Sequence, residues 1–102
     1  MVAGKLIVSE KESQNGLILV ITDIDLLGKK FEEGNRQLDL SKEFYKGTER
    51  DKEWIKKMSE KARHFHLTGK EAVALGIELE LVKVENILYV QKVPHAQAVV
   101  GE

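Results

Sequence analysis

Two apolar, β-branched runs, KLIVSE over residues 5–10 and LILVITD over 17–23, flank the polar segment KESQNG. Val and Ile side chains suit the pleated surface of a strand, where χ1 is not crowded by a preceding turn. The Asn15-Gly16 pair between the runs suits the positive φ angles of a tight hairpin turn. The chain therefore opens as an antiparallel hairpin. An isolated hairpin is marginal in water, so the rest of the chain must supply more strands and a cover for its apolar face.

The segments that follow are short until residue 49. Asp23 can cap a helical turn, IDLL, which Gly28 ends in the left-handed conformation. KKFEEG and NRQLDL alternate about Gly34, with Phe31, Leu38 and Leu40 pointing inward, as a second hairpin or an extended excursion. Ser41 can cap SKEFYKG, a single turn that presents Phe44 and Tyr45 and closes at Gly47. Over residues 49–65, Trp54, Ile55, Met58, Ala62 and Phe65 fall on one stripe and predict the main amphipathic helix. Thr68 and Glu71 form a capping box for a second helix through Ala72, Val73, Leu75 and Ile77 to about Leu79. GIELELV over 76–82 also alternates like a strand. ILYV over 87–90 is a strand, and KVPHAQ leaves it over 92–97. Strands, then helices, then a strand predict an α+β fold: an N-terminal antiparallel hairpin in a small sheet covered by two helices, with a C-terminal strand returning to pair against the first hairpin.

A chain of 102 residues fits one domain over 1–102 with a single modest core. Its 16 basic and 17 acidic side chains leave a formal charge of -1, so no long-range field draws it to a polyanion, and any such site must be a local patch. The absence of cysteine excludes a disulfide framework, thiolate metal sites and cysteine nucleophiles, and is compatible with a reducing cytoplasm. The longest apolar run, LILVI, is far too short to span a bilayer, and the N-terminus lacks a signal-peptide pattern. A soluble, cytoplasmic protein is expected.

LLGKKFEEG over 26–34 lacks the G-x-x-x-x-G-K-[ST] order of a phosphate-cradling loop. Its glycines read as a cap and a turn, its Phe31 as an anchor, and its charges as a solvated face or a place where Lys29 and Lys30 meet phosphate. His64 and His66 point apart on a helix and could share a metal only on an extended segment, and nothing in the sequence brings His95 to them. No metal or cofactor is assigned. In VPHAQ, Pro94 stops strand pairing and leaves His95 and Gln97 on one side of an extended backbone, as ligand-binding candidates or as satisfied core groups. An imidazole there could also act as a general acid or base. Neither Asp23 with Asp25 nor Glu32 with Glu33 forms an acid/base couple, and no nucleophile elbow marks Ser9, Ser13, Ser41 or Ser59. No catalytic residue is assigned, and an enzyme is the lesser expectation. Along the expected main helix the acids gather at the start and the bases towards the end, leaving Lys56, Lys57, Lys61 and Arg63 as a positive half beside interleaved Glu53 and Glu60.

D23-I-D-L-L-G-K-K-F-E-E-G34, E43-F-Y-K-G47, L67-T-G-K-E-A-V73 and E85-N-I-L-Y-V-Q-K-V-P-H-A-Q97 together resemble the archaeal domain of unknown function family 424, in order and over nearly the whole chain. The chain departs from that pattern at Glu80, where relatives are expected to carry a helix-ending glycine, and at HFH before Leu67. The resemblance implies an archaeal cytosolic origin and a small single-domain fold. It implies no activity and no catalytic residue.

The first functional expectation is an RNA- or ribonucleoprotein-associated accessory module, related to translation or the ribosome. Structured RNA would be its partner, and there is no DNA signal. Lys29, Lys30, Lys56, Lys57, Lys61 and Arg63 would make the phosphate contacts, and shape would supply specificity. The alternative is a small-ligand-binding protein or enzyme centred on His95 and Gln97. A third reading is protein association through an exposed apolar patch or sheet edge.

Overall fold

The computed structural model describes residues 6–100, so Lys5 of the first expected strand lies outside them. The fold is α+β. Strands β1 (Leu6–Ser13) and β2 (Gly16–Asp23) form the opening hairpin, paired from Leu6 with Asp23 to Ser13 with Gly16. The loop residues are thus Gln14 and Asn15, one position before the expected pair. Ser13 fixes this turn: its hydroxyl donates to the Gly16 carbonyl and accepts from the Asn15 N–H.

A 3₁₀ turn at Ile24–Leu26 leads to a separate hairpin of β3 (Lys30–Glu33) and β4 (Arg36–Asp39). Gly28 and Gly34 both take positive φ, +89° and +60°, as turn-setting glycines should. A second 3₁₀ turn, Glu43–Tyr45, precedes the short edge strand β5 (Thr48–Arg50). Ser41 does not cap that turn; its N–H and hydroxyl both go to the Asp39 carboxylate.

The largest departure from expectation follows. Helix α1 is only Lys52–Ser59, and residues 62–68 form a strand, β6 (Ala62–Thr68), parallel to β2. The expected helix over 49–65 is therefore corrected to a strand end, a two-turn helix and a strand. A bulge explains the misleading spacing. Leu17 pairs with Ala62 but Ile18 pairs with His64, so Arg63 is an extra residue and Ala62 faces the same side as Phe65. A three-residue step that suggests a helix is here a kinked strand.

Helix α2 (Lys70–Glu78) starts at Gly69, with φ +108°, and Thr68 does not cap it. The cap comes from the other parallel strand: the Asp23 carboxylate accepts from the Glu71 N–H at 3.0 Å and the Ala72 N–H at 2.8 Å. A Cβ on Gly69 would lie 2.2 Å from Asp23 Cγ, so only glycine leaves room for that carboxylate. Asp23 consequently gives no side-chain cap to its own 3₁₀ turn. The helix ends in a Schellman motif, with the Leu81 N–H to the Gly76 carbonyl at 2.8 Å and the Glu80 N–H to that of Ile77 at 3.0 Å. Glu80 takes the left-handed position at φ +62°.

The chain closes with β7 (Leu88–Val90) and β8 (Val93–Val99), joined by Gln91 and Lys92, both at positive φ. KVPHAQ does not leave the sheet: Pro94 is inside β8, tolerated because pairing with β6 starts at His95, and its carbonyl accepts from the Gly69 N–H. The main sheet runs β5-β1-β2-β6-β8-β7. The last strand thus pairs with β6 rather than with the first hairpin.

The two faces of this sheet differ. Leu6, Val8, Leu19, Ile21, Phe65, Leu67, Ala96 and Ala98 pack with Ile55 of α1 and with Ala72, Val73 and Leu75 of α2 into the main core. The opposite face is covered by the β3–β4 hairpin and the second 3₁₀ turn. Leu38, Val90 and Val93, flanked by Leu26 and Phe31, form a small second cluster that fastens the hairpin. Arg36 Nη1 donates to the Tyr89 carbonyl, and the Gln91 N–H donates to Glu33 Oε1 at 2.7 Å.

Candidate functional site

Side chains paired across a sheet share a face, so register alone gathers the polar residues. Thr22, Thr68 and His95 form one row across β2, β6 and β8; Val20, His66 and Gln97 form the next. The His64 side chain lies on the same face one row further, beside Val99. HFHLT thus alternates as a strand, with its histidines and Thr68 away from the helices and Phe65 and Leu67 towards them.

Above these rows, Gln37 and Leu38 of β4 and Tyr45 of the 3₁₀ turn close a cleft of about 220 Å³. Its polar lining residues are Gln37, Tyr45, His66, Thr68, His95 and Gln97, of which Gln37 directs its amide to Glu32, its cross-strand neighbour on the exposed face of the hairpin. Phe44 stands edge-on to both His66 and Tyr45, with ring centroids 5.2 and 5.0 Å away, and so packs against two of the lining side chains. Lys11 Nζ lies 5.0 Å from the Phe44 ring centre. Thr22, fully buried in the inner row, keeps an Oγ1 without a hydrogen-bond partner among the described residues.

Burial sets the protonation of this cleft. His66 is held below its ordinary value by desolvation, with a smaller push from His64, and His95 by desolvation and then by the Arg36 charge. Tyr45 is pushed up, by burial first and then by Asp39. At neutral pH the two imidazoles are therefore neutral and the phenol keeps its proton. Each imidazole offers one donor and one acceptor and can take up a proton. Gln37 Nε2 donates to Glu32 Oε2 at 3.3 Å, which orients that amide. Among the described residues, no partner engages the side-chain polar atoms of His66, Thr68, His95 or Gln97.

The expected pair His95 and Gln97 thus share this cleft, with Gln97 at its exposed mouth and His95 half-buried. His66, Thr68, Tyr45 and Gln37 were not anticipated as their neighbours. The alternation H-F-H-L-T was the signal for two of them, hidden by the helical reading. Among the described residues, no group of three or more His, Asp or Glu is placed to hold a metal ion.

The basic candidates are not brought together. Lys29 and Lys30 are exposed at the β3–β4 hairpin, on the cleft side of the sheet, and Lys30 lies 3.7 Å from Glu32. Lys56 and Lys57 are on α1, on the opposite side, where Lys56 Nζ lies 2.9 Å from Glu78. Lys61 is in the turn after α1, and Arg63 is the bulged residue of β6, against Gly16. A larger hollow of about 730 Å³ beside Glu33, Gly34, Asn35, Arg36, Tyr89 and Lys92 is formed wholly by exposed residues, and we regard it as a surface recess. Among the described residues, no helix is long and apolar enough to cross a membrane.

Comparison with curated proteins gives no match. A solved structure, the crystal structure of an uncharacterized conserved protein from Methanopyrus kandleri, superposes with a TM-score of 0.77 at 21% identity, covering 96% of this chain and 95% of that one. The likeness shows a shared fold. A family model described as a protein of unknown function (DUF424) matches residues 10–100, and with nearly the whole chain matched, the protein belongs to the DUF424 family.

Proposed function

We propose that the protein binds a small polar ligand in the cleft between the β3–β4 hairpin and the histidine-bearing face of the main sheet. The observation that carries this reading is the convergence of two neutral imidazoles, a phenol, a hydroxyl and the Gln97 amide on one cleft. Half-buried polar groups that the protein leaves unengaged are met by water or by a ligand. A site built on strands also holds its groups more firmly than one built on loops. A chain without cysteine suits a reducing cytoplasm as the setting.

An RNA reading has less to rest on. Phosphate-backbone affinity needs several free cations on one surface. Here Lys56 and Lys30 have acidic neighbours, and the hairpin lysines and α1 lie on opposite sides of the sheet.

The test is a ¹H–¹⁵N NMR screen of the full chain against a broad library of small polar compounds. Saturable shifts centred on the amides of Thr68, His95 and Gln97, weakened by Gln97→Ala, are the expected result. A library that leaves those amides unmoved would sink the proposal.

A further inference from the structure

Resting on that ligand site, we propose that its ligand is an uncharged planar heterocycle of nucleobase size, read on its edge by His66, His95 and Gln97. Three features of the cleft converge on this class.

The first is charge. The six polar residues that line the cleft carry no formal charge at neutral pH, and no lysine, arginine, aspartate or glutamate is among its lining residues. The ionic groups around it are of both signs and outside the lining, apart from Gln37's contact with a carboxylate: Arg36 acts on His95, Asp39 on Tyr45, and Glu32 accepts from the Gln37 amide. An ionic ligand entering here would lose hydration and meet no ionised side chain in the lining, and a desolvated charge without a direct partner is costly. A neutral ligand avoids it.

The second is the mixture of donors and acceptors. Imidazole, amide and hydroxyl groups each present both kinds, so a ligand that only accepts, or only donates, would leave half of them unmatched. Heterocycles with ring nitrogens, carbonyls and amino groups along one edge present the same alternation.

The third is shape and size. The floor is a sheet face, rows of side chains on β6 and β8, and the roof is an extended strand, β4, with the His66 ring held by edge-on contact with Phe44. Such a slot takes a flat ligand better than a bulky one. At about 220 Å³ the cleft falls below the roughly 300–1,000 Å³ usual for ligand sites, which favours a single ring system over a whole nucleotide.

The experiment adds adenine, cytosine and uracil, adenosine 5′-monophosphate, nicotinate and acetamide to the NMR titration. At least one free base is expected to bind saturably at the Thr68, His95 and Gln97 amides. The monophosphate and nicotinate should bind at least about tenfold more weakly, as an uncompensated charge demands, and Gln97→Ala should weaken the base by a similar factor. Gln97 is exposed, so this variant should keep the fold, and a second exposed position, Gln37→Ala, provides an independent check. If charged or acyclic compounds move these amides while all three bases are silent, the heterocycle assignment is overturned and the ligand site stands. Silence from every compound in the library overturns both.

Discussion

The two faces of β6 are built from alternate residues of one strand, yet they serve opposite ends. Phe65 and Leu67 are almost completely buried under α1 and α2, in a core of aliphatic and aromatic side chains. His66 and Thr68 lie under a hairpin fastened, among the described residues, by a small cluster whose buried members are Leu38, Val90 and Val93, and by hydrogen bonds from Arg36 and to Glu33 that join it to the β7–β8 hairpin. The first face supplies the stability that holds the register; the second can then carry polar groups whose hydrogen bonds are not met among the described residues. A cover held by few apolar contacts also opens at lower free energy than a core does, which suits the entry of a ligand.

This contrast can be broken experimentally, and the largest effect lies on the dry face. Phe65→Ala should cost about 3–5 kcal/mol in denaturant unfolding, as expected for a fully buried aromatic side chain. His66→Ala, one residue on, should cost clearly less, and equal losses would mean that both faces are core. Next is the link between the parallel strands. Asp23→Ala removes both N–H acceptors at the start of α2 and should cost about 1–2 kcal/mol, with Asp23→Asn between it and the native chain. If thermal unfolding of Asp23→Ala matches the native chain, Asp23 is not the cap that holds α2.

A smaller effect, of opposite sign, is expected away from both faces. Glu80 takes a left-handed conformation at the Schellman position, so Glu80→Gly should stabilise by about 0.5–1 kcal/mol. A loss of stability there would mean that the carboxylate has a partner more valuable than relief of the backbone.

The finest test is pH. His66 and His95 have native-state values below the ordinary 6.5, so below that value the unfolded chain binds more protons than the folded one. Their contribution to stability is intact above pH 6.5 and is lost as the pH falls towards their depressed values. Melting temperatures should therefore fall between pH 7 and pH 5, as a direction, and the His66→Gln/His95→Gln double variant should flatten this slope. An unchanged slope in that variant would place the titration elsewhere.

How much of this was legible beforehand depends on how local the cause is. The opening hairpin, the inward positions of Phe31, Leu38 and Leu40, the glycine turns at Gly28 and Gly34, and α2 with its end near Leu79 were readable, because periodicity and backbone preference act within a few residues. Asp23 was recognisable as a cap but was assigned to the wrong helix, since its partners are the N–H groups of residues 48 and 49 positions away. Residues 62–68 were misread because a bulge placed Ala62 and Phe65 on one side, imitating a helical step. With that strand hidden, His66 and Thr68 could not be set beside Gln97 and His95.

The sequence by itself determined the first hairpin, the apolar stripes and the extended backbone that puts His95 and Gln97 on one side, because each follows from sterics and solvation acting between near neighbours. Only the tertiary structure decided that β6 is a strand between β2 and β8, that Asp23 caps α2, and that the β3–β4 hairpin roofs the histidine face. Those choices depend on pairing partners far apart in the chain, whose contacts are made only once the whole sheet has closed its core.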